Sequence, residues 1–261
     1  MEDNRFEKTS ELYLRAINKN GKTRLMDCYF TAPFKIAKPF YKGEEMKLIL
    51  MSASAGIMEG DRQVIHIVLE EGTNVYFTNQ SYEKLYKMEK GCASRKVQMK
   101  LGKNTSLSYV PLCTIPFAES SFQGTTDIHL EDETSKIFFT ELFAAGRKAH
   151  GENFKYKCYS SITNIWQGEK LIYRDNTYYE PEKMQLEGYG MFEGNSHLIN
   201  IVLINEKEPK RLLVKIREYI EEEALEGGAS LSEACHINIK VLGQSAQELE
   251  KIVEHINLLR R

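Results

Sequence analysis

Apolar and polar residues alternate along the first half of the chain in a strand–turn–strand unit that occurs three times. Residues 64–78 (VIHIVLEEGTNVYFT) run apolar, turn at Glu71-Gly72 and run apolar again. Residues 96–110 (KVQMKLGKNTSLSYV) repeat the plan around Gly102-Lys103-Asn104, and residues 126–140 (TDIHLEDETSKIFFT) around Glu131-Asp132-Glu133. Val75, Leu107 and Ile137 hold equivalent places, 32 and then 30 residues apart. One such hairpin cannot bury its own apolar face, so a unit recurring at this period predicts stacked or layered sheets. The units share pattern rather than identity, and they point to a β scaffold rather than a nucleotide-binding α/β enzyme.

The flanking segments extend the strand reading. Residues 11–17 and 24–30 read as strands joined across Asn18-Lys19-Asn20-Gly21, since Asn-Gly is a strong hairpin signal. Pro33 and Pro39 punctuate an extended segment before an apolar strand at residues 46–52. Residues 153–167 and 171–179 predict two more strands around Gly168-Glu169, and residues 198–204 another. The tail changes period. Leu212, Leu213, Ile216, Tyr219 and Ile220 fall at helical spacing, with Pro209 before them and Gly227-Gly228 closing the helix. Residues 235–242 alternate as a strand. Ser245 with Glu248 forms a capping-box pattern ahead of a second amphipathic helix carrying Leu249, Ile252, Val253, Ile256 and Leu259. The expected architecture is mainly β: a β-helical or layered many-stranded scaffold over residues 11–206, a flexible N-terminus at 1–10, and a C-terminal α–β–α element at 207–261 packed on the same domain.

Composition narrows the function classes. The 261 residues are 42% hydrophobic, enough for a sizeable core. The 35 basic and 37 acidic residues nearly cancel and form no long run, which argues against nucleic-acid or membrane partners. The polar start MEDNRFEKTSEL has no apolar signal region, and the five dispersed cysteines suit reduced thiols, so a cytoplasmic protein is expected.

Gly21-Lys22-Thr23 resembles the end of a phosphate-binding loop, but Ala16 stands where that motif needs its first glycine, and strand rather than helix follows. No nucleophile elbow and no C-x-x-C, H-x-H or H-E-x-x-H spacing occurs, and Cys113 reads as a small core residue. Three places carry more weight. Residues 56–62 (GIMEGDR) bracket an acidic turn in which Asp61 bonds nearby amides on the ordinary reading. Glu141 falls in phase with Ile137, Phe139 and Phe143 on an apolar strand, where a carboxylate is costly unless paired or hydrated; an ion pair with Arg147 is its ordinary reading. Residues 146–152 (GRKAHGE) follow as a charged, glycine-flanked loop.

Taken in order, TAPFKIAKPFY (31–41), SAGIMEGD (54–61), TNQSYEKLY (78–86), PLCTIPF (111–117), ELFAAGRKAHGE (141–152) and LIYRDNTYYEP (171–181) make the chain resemble the UreD/UreH family of urease accessory proteins. The likeness runs from about residue 11 to the C-terminus and is closest to the UreH branch. It implies a β-helical fold and a non-enzymatic chaperone of nickel insertion, which docks on the urease apoprotein, binds UreF and through it recruits the GTPase UreG. It also implies an internal, water-filled passage for the ion and no tightly bound cofactor. On this resemblance Gly60 and Asp61 match a Gly-Asp pair, Glu141 an acidic strand residue, Gly146 and Arg147 a Gly-Arg pair and Glu152 the Gly-Glu that follows. Asp175 matches a further acidic position, with Arg174 the alternative there. Ser54-Ala55-Gly56 departs from the family's Pro-Gly-Gly. Asp61, Glu141 and Asp175 would then offer nickel transient oxygen ligands, with Arg147 orienting one of them. The competing reading is a carbohydrate-active enzyme on a β-helical scaffold using paired carboxylates.

Overall fold

Val75, Leu107 and Ile137 meet in space. They stack directly on one another, each almost fully buried, because the strands that carry them are parallel and in register. The computed structural model describes residues 9–260. Its first hairpin is β1 (Thr9–Lys19) and β2 (Lys22–Phe30), followed by β3 (Phe34–Ile36), β4 (Phe40–Lys42) and β5 (Glu45–Ser52). The three repeated units follow: β6 (Arg62–Leu69), β7 (Asn74–Asn79) and β8 (Glu83–Leu85); β9 (Ala93–Leu101), β10 (Ser106–Tyr109) and β11 (Thr114–Pro116); β12 (Ser121–Leu130) and β13 (Lys136–Ala144). After them come β14 (Cys158–Gln167), β15 (Lys170–Tyr179), β16 (His197–Ile204), α1 (Pro209–Glu222), β17 (Gly227–Leu231), β18 (Ile237–Gly243) and α2 (Ala246–Leu259). The expected flexible stretch 1–10 lies, for residues 1–8, outside the described residues, and Thr9 and Ser10 belong to β1.

Parallel neighbours need a crossover, and here the crossover of one sheet is a strand of the other. Each unit places its first strand in a seven-stranded sheet, ordered β15-β14-β12-β9-β6-β1-β2, and its second in an eleven-stranded one. The main path of the larger sheet is β17-β18-β16-β13-β10-β7-β5-β3. The two sheets share one apolar core, which includes Leu14, Ile67, Met99, Ile128 and Ile165 from the first and Leu48, Val75, Leu107 and Ile137 from the second. Phe77, Tyr109 and Phe139 stack down that core with centroids 5.2 and 5.6 Å apart, a geometry that adds to burial rather than competing with it. The mainly β, layered and many-stranded expectation holds, and so does the small C-terminal helical element.

The tail departs from the reading in one respect. Gly227-Gly228 does not merely end the helix; it opens β17, so the element is α–β–β–α and its two strands continue the larger sheet beyond β16. A Cβ on Gly227 would lie 2.4 Å from the Lys240 carbonyl oxygen, so close strand approach demands that glycine. Both helices cover the outer face of the same sheet through Leu212, Leu213, Ile216 and Ile220 of α1 and Leu249, Ile252, Val253 and Ile256 of α2. Ser245 Oγ accepts from the Glu248 amide at 3.3 Å, while Glu248 accepts from the Gln244 amide, one residue before the capping-box position. The segment 153–167 becomes strand only at Cys158. No described helix is long and apolar enough to cross a membrane.

Candidate functional site

Alternation along β13 sends Ile137, Phe139, Glu141 and Phe143 toward the space between the sheets. Glu141 therefore interrupts an apolar row. Ile137 and Phe139 belong to the shared core on one side of it, and Phe143 packs with Tyr156, Tyr159 and Phe192 on the other. The carboxylate faces a cavity of about 70 Å³ that Glu83, Arg95, Thr126, Tyr159 and Ser161 also line, which is room for water.

Strand pairing makes this polarity continuous. Glu141 pairs with Asn200 of β16, and Asn200 with Lys240 of β18. Directly paired residues share a face of the sheet, so these three form a row along the inner face toward the sheet's edge. The opposing sheet answers with Gln63, Arg95, Gly124, Ser161 and Thr177 at one level, paired in sequence. At the next level Thr126 pairs with Thr163 and Thr163 with Asp175.

Hydrogen bonds join the two faces. Ser161 Oγ and Thr163 Oγ1 donate to Glu141 Oε1 at 2.9 and 3.3 Å. Asn200 Nδ2 donates to the Tyr173 hydroxyl at 3.0 Å, and the buried Asn200 Oδ1 accepts no hydrogen bond from the described residues. Asp175 accepts from Thr177 Oγ1 at 2.9 Å and pairs with Lys240 Nζ at 2.8 Å. Along the same cavity, Arg95 forms a part-buried ion pair with Glu83 and donates from Nε to Gln63 Oε1 at 2.9 Å. Burial pushes the Glu141 carboxyl above the usual range; the Ser161 hydrogen bond opposes this, and the nearby Asp175 charge adds to it.

The expected site residues thus separate. Glu141 and Asp175 come together across the two sheets, close enough for one charge to act on the other. Asp175 faces inward, while Arg174 lies on the exposed side of β15. Asp61 stands apart: its Oδ2 accepts from the Met58 amide at 2.8 Å in a tight turn, and Gly60 supplies the positive φ of +82° there. The expected ion pair between Glu141 and Arg147 does not form. Arg147 binds Glu152 instead, through Nε at 2.7 Å, with its guanidinium 4.1 Å over the Phe117 ring. That pair holds Glu152 below the usual carboxylate range, and Glu152 also accepts from the Ala118 amide. Gly146 is required because a Cβ there would lie 2.1 Å from the Glu152 carbonyl oxygen.

Several participants escaped sequence reasoning, although the signal that marks Glu141 also marks Arg95. Arg95 shares the phase of Val97, Met99 and Leu101, so it too falls on an apolar face. Glu59 is the stronger staple of the acidic turn, accepting from the Glu89 and Lys90 amides at 2.6 and 3.0 Å. Gly21 belongs to the β1–β2 turn, where Asn20 and Gly21 have φ of +55° and +76°, and not to a phosphate loop.

No group of three or more His, Cys, Asp or Glu side chains among the described residues could hold a metal ion. The site offers instead sparse oxygen donors spread along a polar layer. Fold and site together define a layered β scaffold with a layer of polar side chains in its interior. A family model described as UreD urease accessory protein matches residues 8–261. The chain is 40% identical over 256 residues to a urease accessory protein UreD of Acetivibrio thermocellus, covering 97% of each. It is 34% identical to a urease accessory protein UreH of Helicobacter pylori strain G27, covering 97% of this chain and 95% of that one. A urease accessory protein UreD of Flavobacterium johnsoniae is 29% identical across 88% of this chain and 84% of its own. The chain belongs to the UreD family of urease accessory proteins.

Proposed function

We propose that the protein acts in urease maturation as a scaffold rather than a catalyst. In this reading it docks on apo-urease, binds UreF and through it the GTPase UreG, and provides an interior route by which nickel reaches the urease active site. The observation that carries the route is the placement of Glu141. Its carboxylate sits on a core strand against a small cavity, hydrogen-bonded to two hydroxyls, and no cation among the described residues forms an ion pair with it. An ion in transit needs oxygen donors too few and too separated to trap it. Glu141 and Asp175 fit that need as successive carboxylates, and the Asn200 amide oxygen lies in the row beyond Glu141. Asp61 would act at a separate point, since no contact among the described residues joins it to the other two. The docking part is supported by family membership and by exposed apolar side chains, Met26, Tyr29 and Phe30 on β2 and Phe40 and Tyr41 on β4.

The test uses the cognate urease operon lacking its own UreD gene, complemented with this chain or with Glu141→Gln. Both should co-purify with apo-urease and UreF, while the variant should deliver less nickel per urease active site. Normal nickel content with the Gln variant would remove Glu141 from the route. Failure of the unmodified chain to restore urease would remove the maturation reading itself.

A further inference from the structure

We propose that the seam between β15 and the β17–β18 pair is the mouth of the interior polar layer, and that Lys240 closes it by occupying the Asp175 carboxylate that a divalent cation would otherwise take. This rests on the transit reading above and places one end of the route.

Three independent features converge there. The inner row Glu141, Asn200, Lys240 ends one strand short of the sheet edge, where Lys240 pairs with Gly228 of β17. Gly228 has no side chain, and a Cβ there would meet nothing within 4 Å, so the row opens onto free space. Lys240 then reaches across the gap between the sheets. Its side chain is 53% exposed while that of its partner Asp175 is only 15% exposed, so the ammonium comes from the solvent side and the carboxylate from within.

The outer side of this bridge is a depression of about 460 Å³ lined by Tyr179, Met191, Phe192, Glu193, Glu226 and Lys240. Tyr179 is common to both sides. It lines the depression and packs on the aromatic cluster around Phe143, and its hydroxyl, pushed up to about 12 chiefly by burial, also feels the charges of Asp175 and Glu141. Glu193 and Glu226 put two carboxylates at the rim, and both are fixed by hydrogen bonds, to the Gly190 amide and the Asn195 side-chain amide. A cation arriving from solvent therefore meets fixed negative charge, then Lys240 and behind it Asp175, Glu141 and the unpartnered Asn200 oxygen.

The chemistry of the closing group suits displacement. Lysine is a single, flexible point charge with no preferred planar geometry, and half-exposed ion pairs open readily. A divalent ion carries twice the charge to the same carboxylate and can keep water as its remaining ligands.

The test is a Ni²⁺ titration by calorimetry of the intact chain–UreF complex carrying Lys240→Met, Asp175→Asn or both, alongside urease activation at graded nickel. Lys240→Met keeps the apolar stem and removes the charge. It should tighten Ni²⁺ binding several-fold and lower the nickel needed for half-maximal activation, and Asp175→Asn should cancel both gains in the double variant. Unchanged Ni²⁺ binding in Lys240→Met, or a gain that survives Asp175→Asn, would overturn the closing role. Loss of the transit reading is told apart by Glu141→Gln: it would leave nickel loading normal, while the calorimetric response of Lys240→Met would still report on the mouth.

Discussion

Two levels of the same sandwich, one residue pair apart along each strand, behave as opposite solvents. Around the stack of Phe77, Tyr109 and Phe139 the interior is apolar and aromatic, and these rings share one core with Ile67, Met99 and Ile128 of the facing strands. Around Glu141 it holds Arg95, Glu83 and Ser161 lining a cavity, with Gln63 bonded to Arg95 and Asn200 paired beside Glu141. Parallel, in-register stacking produces both. Each unit contributes one residue to a level, so a run of similar choices becomes either a continuous apolar ladder or a continuous polar layer. A lone buried carboxylate would be expelled or neutralised; one that belongs to a layer is solvated by its neighbours in the stack.

Breaking the aromatic level should be the most damaging change. Phe139→Ala removes the end ring of the three-ring stack and should cost about 3–5 kcal/mol, read as a loss of roughly 10 °C in melting temperature. In the polar level, Arg95→Met strands Glu83 without its cation and should cost about 3 kcal/mol, whereas replacing both partners by Met and Leu should recover most of that in a denaturant titration. Near-equal single and double variants would mean that the pair is hydrated rather than mutually dependent.

Glu141→Gln sharpens the contrast through pH. Burial raises the Glu141 pKa above its unfolded value, so the native state holds that proton more tightly. The wild type thus loses stability as pH rises through the native pKa, and the glutamine variant lacks that loss. The variant should melt higher at pH 8, with the gap closing as pH falls toward the ordinary carboxylate value of about 4.3. A constant gap across that range would show that Glu141 is ionised throughout. The smallest effect is expected of Thr163→Val, which deletes a 3.3 Å hydrogen bond to Glu141. It should cost about 1 kcal/mol and steepen the same pH dependence.

What could be read in advance follows from how local each signal is. The equivalence of Val75, Leu107 and Ile137 was legible because strand period and turn residues lie within each unit. The burial of Glu141 was legible from its phase. Its partners were not, because Ser161, Thr163, Asn200 and Asp175 arrive from other strands, and proximity in sequence pointed wrongly to Arg147. The three-residue strands β8 and β11 are too short to show a period, and their place is set by stacking on each other. In β17, Gly227-Gly228 carries a helix-stop signal that hides a strand start. Lys240 carries no sequence signal beyond its place on a strand, and only its cross-sheet reach to Asp175 distinguishes it.

The stacking also constrains which changes of length the chain can tolerate. A single residue inserted early in β9 or β12 would move every later side chain of that strand to the opposite face, setting Lys96 and Lys100 of β9, or Asp127 and His129 of β12, against the core and turning apolar groups outward. A whole unit of about 30 residues, gained or lost between turns, would leave every level in its place. Length variation among relatives is therefore expected at the turns after β6, β9 and β12 or in multiples of a full unit, and a natural variant carrying an odd insertion within one of those strands would need a compensating bulge in the same strand.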